Sequence, residues 1–370
     1  MKIGLICPYS LTIPGGVQQQ VLQLARTIRE LGEEVLVVAP CDGPPPEPWV
    51  VSVGPSIPAA ANGSVAPIAP DPQAQLRTIS ILGGERFDLL HLHEPFVPGP
   101  TLTSLLAKPA PIVGTFHAAG GSAAYRYLRP VLRLLDRRLD LRCAVSEEAK
   151  RMAGEVCDGE ILVLFNGIDP EPFETAEPHP KEGPTVLFLG RHEPRKGLEV
   201  LLEACEQLPS QVHVWVAGEG PETERLRARY GGDARVEWLG VVSDRERAAR
   251  LKAADVFCAP SLGSESFGVV LLEAMAAGTA VVATSISGYR QVATAGVDAL
   301  LVRPGDPQEL ASAIGALLGD DELRRSLVAA GKLTVRRFAM DVLARRYVDI
   351  YHGLVSSVDG SPPRSSTAEA

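Results

Sequence analysis

No apolar run in this 370-residue chain reaches the ~20 residues that a helix needs to span a bilayer, so no transmembrane helix is expected. The opening segment, M-K-I-G-L-I-C-P-Y-S, has one lysine and few apolar residues before Pro8. It reads as a first strand rather than a secretory signal. The six cysteines, at 7, 41, 143, 157, 205 and 258, form no C-x-x-C pair and no Cys/His cluster. Their scatter reads as reduced core thiols in a cytoplasmic protein. No D-x-D or histidine cluster offers a metal ligand set, and no bound metal or resident cofactor is expected. Positive charge is also short. The 36 Lys and Arg against 45 Asp and Glu leave a net charge of −9, which argues against a nucleic-acid binder.

What remains is globular: 45% hydrophobic and 22% charged residues, in a length that suits about two domains. Short apolar runs alternate with helical patterns. Strands are expected at 2–7, 34–39, 89–93, 112–116, 141–145 and 161–164, and again at 185–189, 212–217, 236–239, 256–259, 280–283 and 299–302. Helical patterns such as 17–31, 198–207 and 307–318 separate most of them. This alternation predicts an α/β protein with two parallel, Rossmann-like sheets facing a cleft. The Pro-, Gly- and Glu-rich stretch 166–185 reads as a linker. The expected domains are 1–165 and 166–338, with a final helix over 339–357 crossing back to the first. Residues 358–370 read as a disordered tail, and proline-rich 41–71 as irregular loop.

Ligands of open parallel sheets bind beyond the carboxyl ends of the strands. Strand one runs into P-Y-S-L-T-I-P-G-G-V, where Gly15 and Gly16 open a helix. This is either an anion seat or a tight turn. L-G-R-H-E-P-R-K-G (189–197) clusters Arg191, Arg195 and Lys196 after a strand. It suits a diphosphate or is a solvated basic loop. It is no Walker A loop, since position 195 is Arg. V-A-G-E-G-P (216–221) has Thr where a dinucleotide fingerprint has its third glycine, at 223, and reads as a strand-to-helix turn. Ser243 with Glu246 makes a capping box. Asp244 beside it could accept two hydrogen bonds from a guanine edge.

Glu265 and Glu273 stand in an otherwise apolar run, S-E-S-F-G-V-V-L-L-E-A-M-A-A-G-T-A-V-V-A (264–283). Buried carboxylates are costly without partners. With a helix starting near Phe267, residues 266–269 would offer backbone N–H groups to a phosphate. Glu265 would then hold a transferred sugar and Glu273 a ribose. Ion pairing of both glutamates with Arg or Lys is the alternative.

These residues resemble the retaining glycosyltransferases of GT-B fold that carry an E-x7-E motif, here Glu265 and Glu273. The resemblance covers nearly the whole chain. It implies that Arg191, Lys196 and Gly16 meet the donor diphosphate and that His117, in G-T-F-H, lies near the transferred sugar. Within the family the chain is similar to the actinobacterial branch that mannosylates phosphatidylinositol from GDP-mannose. The carrying stretches are C-P-Y-S, P-G-G-V-Q, N-G-S-V-A, H-x-H-E-P, the 189–197 loop and the long run 263–283. That branch implies Val242 and Asp244 on guanine, Phe267, Gly268, Val269 and Val270 on phosphate, and Tyr9, Gln18, Asn62 and Arg195 at an inositol phosphate headgroup.

The sequence departs from that branch on the acceptor side. Positions 67–70 are Pro-Ile-Ala-Pro where arginines are expected, and the following helix has one arginine. Positions 13 and 96 are Ile and Phe in place of polar residues. Tyr125–Arg142, with six arginines among leucines, either sits on an anionic membrane surface or is an ordinary amphipathic helix. The expectation is therefore a cytoplasmic mannosyltransferase, peripheral on the membrane, acting on an anionic phospholipid. A different acceptor on the same fold, a nucleotide-sugar epimerase and a non-catalytic nucleotide-sugar binder are the alternatives.

Overall fold

The structure, a computed structural model, describes residues 1–61, 64–117, 123–263 and 265–358. It divides into two compact units, Met1–Gly167 with the chain from Met340 onward, and Ile168–Ala339.

The first unit opens with β1 (Lys2–Ile6), α1 (Gly16–Glu30), β2 (Glu34–Ala39) and β3 (Val50–Ser52). Then come β4 (Ile57–Ala61), β5 (Ser64–Ile68), α2 (Pro72–Glu85), β6 (Leu89–His93), α3 (Pro100–Ala107) and β7 (Ile112–Phe116). It continues with α4 (Ala123–Asp136), β8 (Leu141–Ala144), α5 (Glu147–Ala153) and β9 (Ile161–Val163). Its main sheet has the order β3-β2-β1-β6-β7-β8-β9, and every pairing is parallel. Period-two alternation splits each strand between two cores. In β1, Ile3 and Leu5 face one core and Ile6 the other. The expected irregular loop 41–71 holds β3 and the antiparallel hairpin β4-β5 instead. Proline is tolerated there because β4 and β5 form a separate two-stranded ribbon, where prolines can avoid the ladder bonds.

The second unit runs α6 (Glu171–Glu174), β10 (Thr185–Leu189), α7 (Leu198–Cys205), β11 (His213–Ala217) and α8 (Thr223–Tyr230). It continues through β12 (Val236–Gly240), α9 (Asp244–Ala253), β13 (Val256–Ala259), α10 (Val269–Ala277) and β14 (Ala280–Thr284). β15 (Leu300–Val302), α11 (Pro307–Gly319) and α12 (Asp321–Arg337) complete it. Its sheet, β12-β11-β10-β13-β14-β15, is also wholly parallel. Near-continuous apolar strands such as T-V-L-F-L suit a sheet covered on both faces.

The final helix, α13 (Met340–Val358), begins and ends one residue later than expected. Its Met340, Ala344, Tyr347 and Tyr351 complete the core against β1 and α1. Beside it, Gln20 clamps Gly167 through both amide atoms, donating to the carbonyl at 2.6 Å and accepting from the N–H at 3.0 Å. The six cysteines are all buried and unpaired. Among the described residues no helix is long and apolar enough to cross a membrane.

Both sheets reverse their strand order at an inner pair, β1/β6 in the first unit and β10/β13 in the second. Loops leaving those strands diverge to opposite faces and leave a crevice at the carboxyl ends. Gly197, in the β10 loop, has φ +68°, and a Cβ there would lie 2.0 Å from the Pro260 carbonyl oxygen beyond β13. That close approach requires glycine. Gly197→Ala is expected to cost about 2 kcal/mol or more, from left-handed strain plus the clash. Gly315→Ala, in open space within α11, should gain up to about 1 kcal/mol. Thermal melts of the intact chain compare the two; equal midpoints would remove the close-approach argument.

Candidate active site

At the β10/β13 reversal, the β10 loop turns through a short 3-10 segment, Pro194–Lys196, closed by Gly197. The turn after β11 packs against this loop. A Cβ on Gly218 would sit 2.0 Å from the Gly190 carbonyl oxygen, and one on Gly220 2.7 Å from that of His192. The V-A-G-E-G stretch is thus a packed strand-to-helix turn, as its missing third glycine implies.

Five charged groups meet on the loop. Glu193 accepts from Arg191 Nε at 3.1 Å and from Arg195 Nε at 2.8 Å. Glu265 accepts from Arg195 Nη1 at 2.9 Å and from Lys196 Nζ at 2.6 Å. Three cations against two carboxylates leave one positive charge in excess. Arg191 stays 59% exposed, so its guanidinium remains open to a further anion. Glu193, inside the H-E-P-R-K stretch but not among the expected site residues, orients both arginines. Arg195, expected at an acceptor headgroup, is held by Glu193 and Glu265 beside Lys196. Glu265 itself is braced from behind: Tyr289 bonds Ser261 through their hydroxyls at 2.8 Å, and Ser261 lies 3.5 Å from the carboxylate.

The helix after Glu265 starts at Val269, two residues later than the sequence suggested. Gly268 adopts φ +98°, and a Cβ there would strike the Tyr289 ring at 2.7 Å. Phe267 precedes the helix, with its side chain in the core against Phe338. Any contact of Phe267 with phosphate is therefore through its backbone, as expected of the N–H groups at 266–269. The N-terminus of α10 has no side-chain cap and no acidic residue in its first turn. Its dipole and the N–H groups near Gly268, Val269 and Val270 favour an anion.

Further along α10, Glu273 is buried, with Arg247 Nη1 at 3.5 Å. Arg247 also reaches Asp244 at 3.2 Å. Sequence reasoning missed Arg247, although its i,i+3 spacing from Asp244 puts both on one helix face. Asp244 begins α9, and its side chain is 85% exposed. Ser243 caps that helix by accepting the Glu246 N–H at 3.2 Å, whereas Glu246 turns to Arg250 rather than closing a capping box. Val242 is half-buried in the turn before.

The β1/β6 reversal in the first unit holds a different chemistry. Gly16 opens α1, whose start has no side-chain cap, and a Cβ there would meet open space. Gln18 is buried and donates to the Ile13 carbonyl at 3.2 Å. Tyr9 pairs with Ile68 in an isolated bridge, and burial raises its hydroxyl pKa, with the nearby Glu94 adding to the rise. At the ends of β6 and β7, His93 Nδ1 lies 2.9 Å from His117 Nε2. His91 stacks on His93 at 4.3 Å and bonds Tyr351 and Thr115. Glu94, buried at φ +53°, accepts the His117 N–H at 2.7 Å. Burial pushes both His91 and His117 down to about 3. Glu94 is not among the expected site residues, although a carboxylate directly after a strand carrying two histidines, L-L-H-L-H, is a signal. Ile13 is exposed, and Phe96 packs on Phe116. Asn62 lies outside the described residues.

The arginine-rich stretch is helical only to Asp136. Arg133 pairs with Asp158, Arg138 bonds the Leu105 and Leu106 carbonyls, and Arg142 is fixed to Asp136. Three of the six expected surface arginines therefore serve the fold. Beside the exposed Arg129, α4 exposes apolar side chains: Tyr127 at 85%, with Leu128, Val131 and Leu134.

Glu273 gives a test with a definite sign. Burial raises its pKa above the usual value, outweighing the lowering by Arg247, and Asp244 adds to the rise. The folded chain thus holds this proton more tightly than the unfolded chain. Stability from this group falls as pH rises from the ordinary glutamate value through the raised one. Glu273→Gln should keep or raise the thermal midpoint at pH 7 while weakening nucleotide binding. A clear loss of stability with unchanged binding would make Glu273 an ion-pair partner only.

Comparison with known proteins adds the family. The Glycosyl transferases group 1 family model matches residues 171–334, and Glycosyltransferase Family 4 matches 14–172. The phosphatidyl-myo-inositol mannosyltransferase of Mycobacterium leprae (strain TN) is 42% identical over 96% of this chain and 98% of its own. That of Mycolicibacterium smegmatis is 39% identical over 100% and 99%. Among solved structures, sucrose-phosphate synthase from Thermosynechococcus elongatus superposes with TM-score 0.78 at 22% identity, covering 96% of this chain and 99% of its own. Anabaena HepE in complex with UDP gives 0.74 at 21%, covering 95% and 99%. Both share the GT-B arrangement of two Rossmann-like parallel-sheet domains. With two family models covering successive parts and such relatives along its whole length, the chain belongs to the glycosyltransferase family that includes the phosphatidyl-myo-inositol mannosyltransferases.

Proposed function

We propose that the protein transfers mannose, with retention, from GDP-mannose to the inositol of phosphatidylinositol. The observation that carries this is the likeness to mannosyltransferases of that name along nearly the whole chain, at about 40% identity. The second unit is assigned the donor and the first unit the acceptor.

Arg191 and Lys196 meet the leaving diphosphate, with Gly16 and the backbone near Gly268, Val269 and Val270. Charge that develops on the leaving group is met by groups already in place. Glu273 takes the ribose hydroxyls. Val242 and Asp244 take guanine, whose edge offers two donors to one carboxylate. Glu265 holds sugar hydroxyls, and its contact strengthens as the ring becomes oxocarbenium-like. Attack occurs on the face the nucleotide leaves, with a phosphate oxygen taking the acceptor proton. His117 bonds the transferred sugar. Tyr9, Gln18, Asn62 and Arg195 are assigned to the headgroup. In this scheme Arg195 must exchange one carboxylate contact for phosphate. No step calls on a metal ion.

We further propose peripheral contact with the cytoplasmic face of the membrane through α4. The exposed Tyr127, Leu128, Val131 and Leu134 favour insertion among headgroups, and the exposed Arg129 and Arg137 add attraction to anionic lipid.

Labelled GDP-mannose incubated with vesicles containing phosphatidylinositol tests the reading. Labelled lipid is expected. Transfer to a soluble sugar alone would move the protein to another acceptor, and free nucleotide without transfer would favour an epimerase. Co-sedimentation of the same vesicles should persist in part at high salt and weaken in Leu134→Asp. Calorimetry should show GDP binding more tightly than UDP, with the difference lost in Asp244→Ala. Equal affinities would leave Asp244 as a helix-terminal residue only.

A further inference from the structure

His93 plays no part in the proposed chemistry, yet its ring carries an anomaly. It is buried, and its Nε2 meets no hydrogen-bond partner. Its Nδ1 faces His117 Nε2 at 2.9 Å. We propose that His93 is a positioning residue that fixes His117 in the tautomer protonated on Nδ1. His117 then offers a substrate an N–H and cannot serve as its base. The functional part rests on the reading that places His117 at the sugar.

A neutral imidazole has one N–H, and the two rings share a single hydrogen bond, so one of them donates. A proton on His93 Nε2 would be a buried donor with no acceptor, which folded proteins rarely tolerate. A proton on His93 Nδ1 is satisfied by His117. His93 therefore donates, and the His117 Nε2 lone pair is occupied. The His117 proton must then sit on Nδ1, which has no partner among the described residues.

Neither ring has a spare arrangement. His93 is stacked on His91, whose two nitrogens are bonded by Tyr351 at 2.6 Å and Thr115 at 2.7 Å. The His117 backbone is held by the Glu94 carboxylate. Protonating His117 on Nε2 would set N–H against N–H, and protonating His93 on Nε2 would leave a buried donor without an acceptor. Burial agrees, since it lowers the pKa of both. A His–His contact of the same distance with the donor reversed would leave His117 Nδ1 bare, so the direction of this one bond decides what His117 offers a ligand.

The first test needs no substrate. A long-range proton–nitrogen spectrum of the intact chain with ¹⁵N-labelled histidine should show His117 protonated on Nδ1 and bare on Nε2. The reverse pattern overturns the proposal, whatever the acceptor proves to be. The second test uses turnover. His93→Phe keeps the ring volume and removes the donor, and should lower turnover about tenfold or more with nucleotide affinity unchanged. His93→Asn places an amide N–H near the lost Nδ1 and should restore most of that loss. Equal loss in both variants, or loss in neither, overturns the role. If His93→Phe does not fold, the wild-type spectrum and the Asn variant still decide: His117 in that variant must keep its proton on Nδ1.

Discussion

One carboxylate shared between two cations organises the second unit. Glu265 arrives from beyond β13, while Lys196 and Arg195 arrive from beyond β10, so their contact joins the two loops that the sheet reversal drives apart. In a largely desolvated setting such a contact is worth having only with good geometry and further bonds. Both conditions are met, because Glu193 braces Arg195 from the other side and Tyr289 braces Glu265 through Ser261. Gly197 and Gly218 let the loops approach closely enough, and Gly268 turns the chain into α10 just after the cluster. The excess positive charge and the uncapped helix start then point to the same kind of ligand, an anion.

The first unit solves the opposite problem. Its reversal point gathers histidines, a tyrosine and a glutamate, and burial keeps the imidazoles neutral. Such groups recognise hydroxyls by direction, not by charge. α13 contributes Tyr347 and Tyr351 to this layer, so the last helix supports the histidines as well as the core. A site for a charged leaving group and a site for neutral hydroxyls are what sugar transfer from a nucleotide asks for.

The sheets were legible because parallel strands buried on both faces leave long apolar runs with polar loops between them. β2, β6, β7, β10 and β13 match the expected limits residue for residue. The E-x7-E spacing and the basic loop were legible for a related reason, since charges stand out against apolar surroundings. Three features were not. The hairpin β4-β5 was hidden because proline content argues against strands without telling a ladder position from an outward one. The start of α10 was misplaced because the left-handed turn at Gly268 depends on the Tyr289 ring, twenty-one residues away in sequence. The basic face at 125–142 was overestimated because the partners of Arg133, Arg138 and Arg142 lie on other segments. In each case the deciding contact is non-local.

The central claim is that the β10 loop cations act on a leaving diphosphate rather than only holding the loops together. Turnover and stability of Lys196→Ala, measured on the same preparation, separate the two most directly. The account predicts a rate loss on the order of 10²-fold with a thermal midpoint near that of the parent chain, since Arg195 still binds Glu265. A lowered midpoint with unchanged turnover would contradict it.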